Sequence, residues 1–307
     1  MLLRFLLRRL LFTALTFFVI VSAVFFLLRA APGGPFDGER HITPEIEANL
    51  LAAYDMDAPL WVQYGRYLSK LLQADLGPSF KQKDFTVNEL IAAGLPVSAA
   101  LGASALCLAL LLGMLLGTLA GFNQGSRLDT WIMSMNNINL ALPGIVTAPL
   151  LVLAFAVILG WLPAAGSGTF SHFILPSIAL GLPLSAQIAR MMRGGVAATL
   201  NEPFLRTARA KGISELRLVV RHVLPSAVIP LISFMAPAAA ALLTGSVVVE
   251  QVFDLPGIGR YFVEGALNRD YTLVMGLTIV FSLAILLFNF LADVLYGLID
   301  PRIRALG

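Results

Sequence analysis

An all-α polytopic membrane fold with six spanning helices follows from three observations. Of the 307 residues, 58% are hydrophobic and 13% charged, with a mean hydropathy of +0.84. Soluble domains are nearer half apolar and a quarter charged, so lipid is the solvent for most of this chain. Apolar runs recur at 10–29, 96–122, 132–160, 174–193, 227–249 and 274–298, each close to or above the roughly 20 residues a spanning helix needs. The basic residues cluster between alternate runs.

The first run begins after Arg4, Arg8 and Arg9 and ends at Arg29. A secretory leader cleaved near Ala30-Ala31 is the alternative, but the run is longer than a leader's apolar region, so 1–30 reads as an N-terminal segment and a span. The segment 31–95 reads as a helical cap. Thr43-Pro44-Glu45 marks a helix start. From Pro59, the residues Leu60, Tyr64, Leu68 and Leu71 recur at helical spacing. Thr86 and Glu89 form a capping-box pattern before the second run. Within that run Gly102, Ser104, Gly113 and Gly117 suit close helix packing. In the third run Pro143-Gly144 predicts a kink. Its asparagines, Asn136, Asn137 and Asn139, admit two readings, a polar path or helix-to-helix hydrogen bonds.

Placing the N-terminus in the cytoplasm puts Arg4, Arg8, Arg9, Arg127, Arg190, Arg193, Arg206, Arg209, Lys211, Arg217, Arg221, Arg302 and Arg304 inside, 13 of the 21 Lys and Arg residues. The outer segment 161–173 holds none, and 250–273 holds Arg260 and Arg269. Basic residues favour the cytoplasmic side, so both termini are expected there.

Several chemistries are excluded. The four lysines follow Ser69, Phe80, Gln82 and Ala210, so no Gly-Lys pair and no P-loop exist. His41, His172 and His222 are scattered, and the single cysteine, Cys107, completes no metal cluster and no internal disulfide. A nucleophile at Ser104 needs a base, and no span centre carries a histidine, which argues against an intramembrane protease. An ion-coupled carrier usually buries ionisable residues within spans; Glu250 and Asp293 lie near span ends. The basic residues flank membrane segments rather than a soluble module, so no nucleic-acid partner is expected.

The stretch RTARAKGISELRLVVRHVLP, 206–225, interrupts this apolar chain with five Lys or Arg residues. Asn201 and Glu202 before Pro203 open a helix, and Gly212 suits a left-handed C-cap. Ser214 can cap a second helix whose Ile213, Leu216, Val220 and Val223 form an apolar stripe. Arg217 and Arg221 lie one turn apart on another face. The insert therefore reads as two short helices with a bend, over about 201–225. A basic face resting on anionic lipid headgroups is the alternative reading.

The spacing Ala208, Gly212, Leu224-Pro225 resembles the EAA signature of permease subunits of bacterial ABC importers. Arg206-Thr207-Ala208 stands where that signature has Glu-Ala-Ala, and His222 where Ile is usual. The Arg form resembles the peptide and nickel branch. LRAAPGGPF (28–36), DLGPSFKQKDFTVNEL (75–90), FDLPGIGRYFVEGALNRDY (253–271) and DVLYGLIDPRIR (293–304) extend the likeness along nearly the whole chain. The short segment after the third run resembles the oligopeptide type. Dipeptides, glutathione-like peptides and nickel complexes are the alternative cargoes.

The resemblance implies a type I ABC permease fold, with core domain 96–307, in the bacterial inner membrane. It implies a second, homologous permease, two ATPase subunits that hold the ATP and Mg, and an outer peptide-binding protein; this chain itself would bind no cofactor and no metal, and its other partner is membrane lipid. Arg206, Thr207, Ala208, Arg209, Lys211, Gly212, Leu224 and Pro225 then belong to a coupling helix, with Ala208 and Gly212 giving close approach to an ATPase subunit. Leu255, Pro256, Gly257 and Gly259 fall in a scoop at the outer mouth, where the glycines are expected to permit tight turns.

Overall fold

The computed structural model describes residues 2–31, 57–82, 84–243 and 247–299. Among the described residues every regular element is helical. The helix start expected at Thr43-Pro44-Glu45 and the closing residues 300–304 lie outside them.

Helix α1 (Leu2–Ala30) is followed by the short α2 (Leu60–Leu72) and the long α3 (Val87–Phe122). α2 lies against α1 through aromatic stacking, with Tyr64 and Tyr67 each 5.3 Å from Phe25 between ring centroids. α3 starts at Val87 rather than near 96. The reason is its capping box: the Glu89 amide donates to Thr86 Oγ1 at 3.2 Å, and the Thr86 amide donates back to Glu89 at 2.8 Å. Pro96, within the helix, does not end it.

The third span is broken. α4 (Arg127–Ala141) and α5 (Gly144–Leu151), which continues as a wide turn through Val152–Ile158, meet at 103°. The kink expected at Pro143-Gly144 is there, because the proline holds its predecessor out of the helical region. The halves nonetheless traverse the bundle end to end. α4 meets the C-terminal part of α6 (Ser171–Leu200), with Arg193 on Asp129 and Arg190 on Asn137, while Ala148 packs with Leu175 and Ala179 near the N-terminal part.

α3 and α6 form the central pair and run parallel, with Ser104 on Ser177 near one end and Gly121 against Val196 near the other. A Cβ at Gly113 would sit 2.6 Å from Ile188 Cβ, and one at Gly121 would sit 2.7 Å from Val196 Cβ. Gly117 faces Ala189 and Met192 just as closely. Small residues therefore set the helix separation, as van der Waals packing in lipid demands.

After α6 come α7 (Pro203–Ala210) and α8 (Glu215–Leu218), whose wide turn Val219–Val223 runs into α9 (Leu224–Leu243). Then follow α10 (Val247–Val252), α11 (Ile258–Leu267) and α12 (Tyr271–Ile299). α12 packs on α1, where Arg9 pairs with Asp293 at 3.1 Å. Among the described residues four helices are long and apolar enough to cross a membrane, or up to six if each of the bent pairs α4–α5 and α8–α10 is one crossing.

Candidate coupling helices and anchored loop

α7 begins as the sequence requires, with Glu202 as N-cap and Pro203 in the first turn, where a missing N–H is harmless. It ends at Gly212, whose φ of +76° is the left-handed conformation expected of a C-cap. The Gly212 amide donates to Arg209 O at 2.9 Å, and the Ile213 amide to Ala208 O at 3.3 Å. Gly212 is exposed, and a Cβ there would meet nothing within 4 Å.

α8 is not a separate helix. It continues through Val219–Val223 into the fifth span. A proline ring clashes with the carbonyl four residues earlier, and the widened turn just before Leu224-Pro225 relieves that clash. Arg209 ties α7 to α8 through a bidentate pair with Glu215, at 2.8 and 3.3 Å. The Glu215 carboxylate holds the Arg209 guanidinium above its ordinary range. Both groups are exposed, so the pair fixes geometry more than it stabilises.

Ala208 does not lie where close approach to a partner needs it. With Leu205, Leu218 and Val223 it is buried in the core beneath α7 and α8, and Ile213 packs against the same cluster. Of the expected stripe, Ile213 and Val223 turn inward, whereas Leu216 is 76% exposed and Val220 58%. The outward face therefore carries Phe204, Arg206, Thr207, Lys211 and Gly212 on α7 and its cap, with Leu216 on α8. Sequence spacing had grouped the stripe residues on one helix face; Ile213 instead lies before the Ser214 N-cap, outside the helix, and the wide turn at Val219–Val223 changes the phase of the residues in it.

The three asparagines do not act together. Asn136 is buried, and its Nδ2 has no hydrogen-bond partner; Asn137 is exposed and accepts from Arg190 at 2.9 Å; Asn139 is half-buried.

At the opposite end of the bundle, residues 253–271 form a loop, α11 and a short return. The positive-φ residues there are Asp254 and Arg269, not the glycines. Gly257 has φ −96°, and its small size serves another purpose. A Cβ on Gly257 would lie 2.5 Å from Glu250 Cδ and 2.5 Å from Ser98 Oγ. One on Gly259 would lie 2.9 Å from Glu250 Oε2. Glu250, fully buried, accepts from Ser98 Oγ at 2.7 Å and from the Arg260 amide at 3.0 Å, and Ser98 Oγ accepts from the Ile258 amide at 2.9 Å. The carboxylate thus satisfies donors of the first turn of α11, which a helix leaves unpaired.

Buried Asp270 does the same at the other end of this segment. It accepts from Ser79 Oγ, from the Phe80 amide at 3.2 Å and from the Leu273 amide at 3.1 Å. Sequence reasoning noted Glu250 only as an ionisable residue near a span end and missed Asp270.

Residues 113–305 match the family described as "Binding-protein-dependent transport system inner membrane component", and residues 2–102 match the N-terminal part of the membrane component of such systems. The oligopeptide transport system permease protein OppB of Haemophilus influenzae is 48% identical over 304 residues, covering 98% of this chain and 99% of that protein. The OppB of Escherichia coli K12 is 47% identical with the same coverage. The dipeptide permease DppB of Bacillus subtilis is 38% identical over 301 residues, covering 98% of each. Among solved structures, an inward-facing MetNI methionine ABC transporter shares the fold, with a TM-score of 0.55 at 19% identity over 69% of this chain and 96% of that one. The helical pair projecting between α6 and α9 and these matches over nearly the whole length place the chain in the family of inner membrane components of binding-protein-dependent ABC importers.

Proposed function

We propose that this chain is one of two permease subunits that line an oligopeptide path through the bacterial inner membrane. The observation that carries the substrate is the near full-length likeness to oligopeptide permease proteins, greater than that to the dipeptide permeases. In this reading two separate ATPase subunits hold ATP and Mg, and an external binding protein delivers the peptide. The clustering of basic residues at the α7–α8 end supports a cytoplasmic location for that end and for both termini.

α7 and α8 are then the coupling element. Their outward face, apolar at Phe204 and Leu216 and basic at Arg206 and Lys211, offers an anchor with a charged rim; such rims steer and orient docking. The continuous backbone from α8 into α9 makes displacement of the docked helices a displacement of the fifth span. At the far end, Glu250 and Ser98 tie the loop before α11 to α3, so the outer mouth follows the same spans.

The test is reconstitution. The chain is expected to co-purify with a homologous permease and two ATPases, to hydrolyse no ATP alone, and to support ATP-dependent uptake of oligopeptides. Robust hydrolysis by the isolated chain, or uptake sustained by a proton gradient alone, overturns the proposal. Uptake confined to dipeptides would move the substrate to the neighbouring branch.

A further inference from the structure

We propose that Arg217, Val220 and Arg221, on the outward side of α8 and the wide turn after it, sit in the headgroup layer of the adjacent leaflet and bind its anionic phospholipids. α7 then keeps the protein partner, so the two helices of the projecting pair take different surfaces. The lipid contact rests on the bent pair α8–α10 crossing the membrane. Only the part left to α7 rests on the coupling reading above.

Two rows of residues along this helix carry the argument. From α8 into α9 the buried row is Leu218, Val223, Ala227 and Leu231, at spacings of five, four and four. A regular helix with 3.6 residues per turn would drift out of phase at the first step. The wide turn Val219–Val223 takes up the extra residue, so one side of the helix faces the bundle without a break. The opposite side is equally continuous. Arg217, Arg221, Ser226 and Pro230 are exposed, and beside them Leu216, Val220, Pro225 and Ile229. Ile229, inside the apolar run, is 56% exposed, which marks that side as facing away from the bundle at membrane depth.

The helical rise sets the depth of the arginines. Arg221 precedes the start of α9 at Leu224 by three residues and Arg217 by seven, about 4.5 and 10 Å along the axis. The headgroup layer is about 5–8 Å thick on each side of a bilayer. Arg221 falls within it, and Arg217 reaches it by laying its stem along the helix with the guanidinium among phosphates. Val220, exposed between them, is covered at this depth by the acyl boundary, as on an interfacial helix.

The charge on this side agrees. Glu215, the acid of α8, turns to α7, where Arg209 holds it at 2.8 Å. His222 leans the same way, with its ring centroid 6.3 Å from that of Phe204. The outward side therefore presents two guanidiniums one turn apart, whose forked donors match the oxygens of a phosphate. Basic residues beside a span attract anionic lipid over zwitterionic lipid.

The test places a photo-cross-linking benzophenone amino acid at position 220 of the assembled transporter, in nanodiscs of equal phosphatidylglycerol and phosphatidylcholine. Mass spectrometry of the irradiated chain identifies what is attached. Phospholipid adducts are expected, with phosphatidylglycerol about fivefold over phosphatidylcholine, the weight of one arginine near a charged surface. Arg217→Gln with Arg221→Gln should bring that ratio close to one, whereas Arg217→Lys with Arg221→Lys keeps the charge and should keep the excess. An equal ratio with both arginines present overturns the proposal, as does attachment to an ATPase or a permease chain in place of lipid. The same reporter at Thr207 should attach to an ATPase. Lipid attached there instead overturns the division of surfaces and the coupling reading, whatever the outcome at position 220.

Discussion

Removing the Glu250 carboxylate should loosen the loop before α11 without unfolding the bundle. In Glu250→Ala the donors that lose their acceptor include Ser98 Oγ–H and the Arg260 amide, and these two set the magnitude. Each orphaned buried donor costs about 1–3 kcal/mol. The low end of the sum, about 2 kcal/mol, shifts the local opening equilibrium roughly 30-fold. Glu250→Gln keeps one acceptor oxygen and should lie between the variant and wild type. Hydrogen exchange followed by mass spectrometry on the purified transporter reads this directly. Peptides covering 253–262 should exchange about 30-fold faster in Glu250→Ala, while those covering 185–196 in the α3–α6 core should not change. Gly257→Ala should give a similar pattern, because its Cβ displaces the same carboxylate. Oligopeptide uptake should fall in each variant with normal amounts in the membrane. Unchanged exchange over 253–262 in Glu250→Ala would refute the anchoring role.

Gly212→Val places a side chain at φ +76° at a cost of about 1–2 kcal/mol with no neighbour to strike, so membrane amounts should stay near normal while uptake falls sharply; normal uptake would sink the coupling assignment. Ala208→Asp, by contrast, puts a carboxylate among Leu205, Leu218 and Val223, and should lower the amount of folded chain, measured by fluorescence-detected size exclusion. Asp129→Ala removes the bidentate partner of Arg193, at 2.6 and 2.8 Å, and should destabilise the α4–α6 contact by about 1.5–3 kcal/mol, read as a lower unfolding midpoint in denaturant. In a background lacking Cys107, cysteines at the exposed positions Ser69 and Ser214 should react with an impermeant thiol reagent from opposite sides of the membrane; labelling from one side would contradict six crossings.

Composition and periodicity by themselves determined the membrane setting and the place of the projecting helices. These features are local: twenty apolar residues in lipid must become a helix, and Pro203 and Gly212 open and close α7 whatever surrounds them. The capping box at Thr86 and Glu89 was legible for the same reason, since its partners are three residues apart. Gly113 and Gly117 were legible as packing residues, but not that Ile188, Ala189 and Met192 face them. Only the tertiary structure decided which way Ala208 points, because Leu218 and Val223, which bury it, reach it across the bend at Gly212. Only the structure separated Asn136 from Asn137. Gly257 and Gly259 looked like turn residues in the sequence; their neighbour across space is a buried carboxylate. Glu250 and Ser98 lie 152 positions apart, and Asp270 and Ser79 lie 191 apart. Pairings at that separation leave no trace in periodicity, because they arise from the packing of whole helices rather than from the pattern along any one of them.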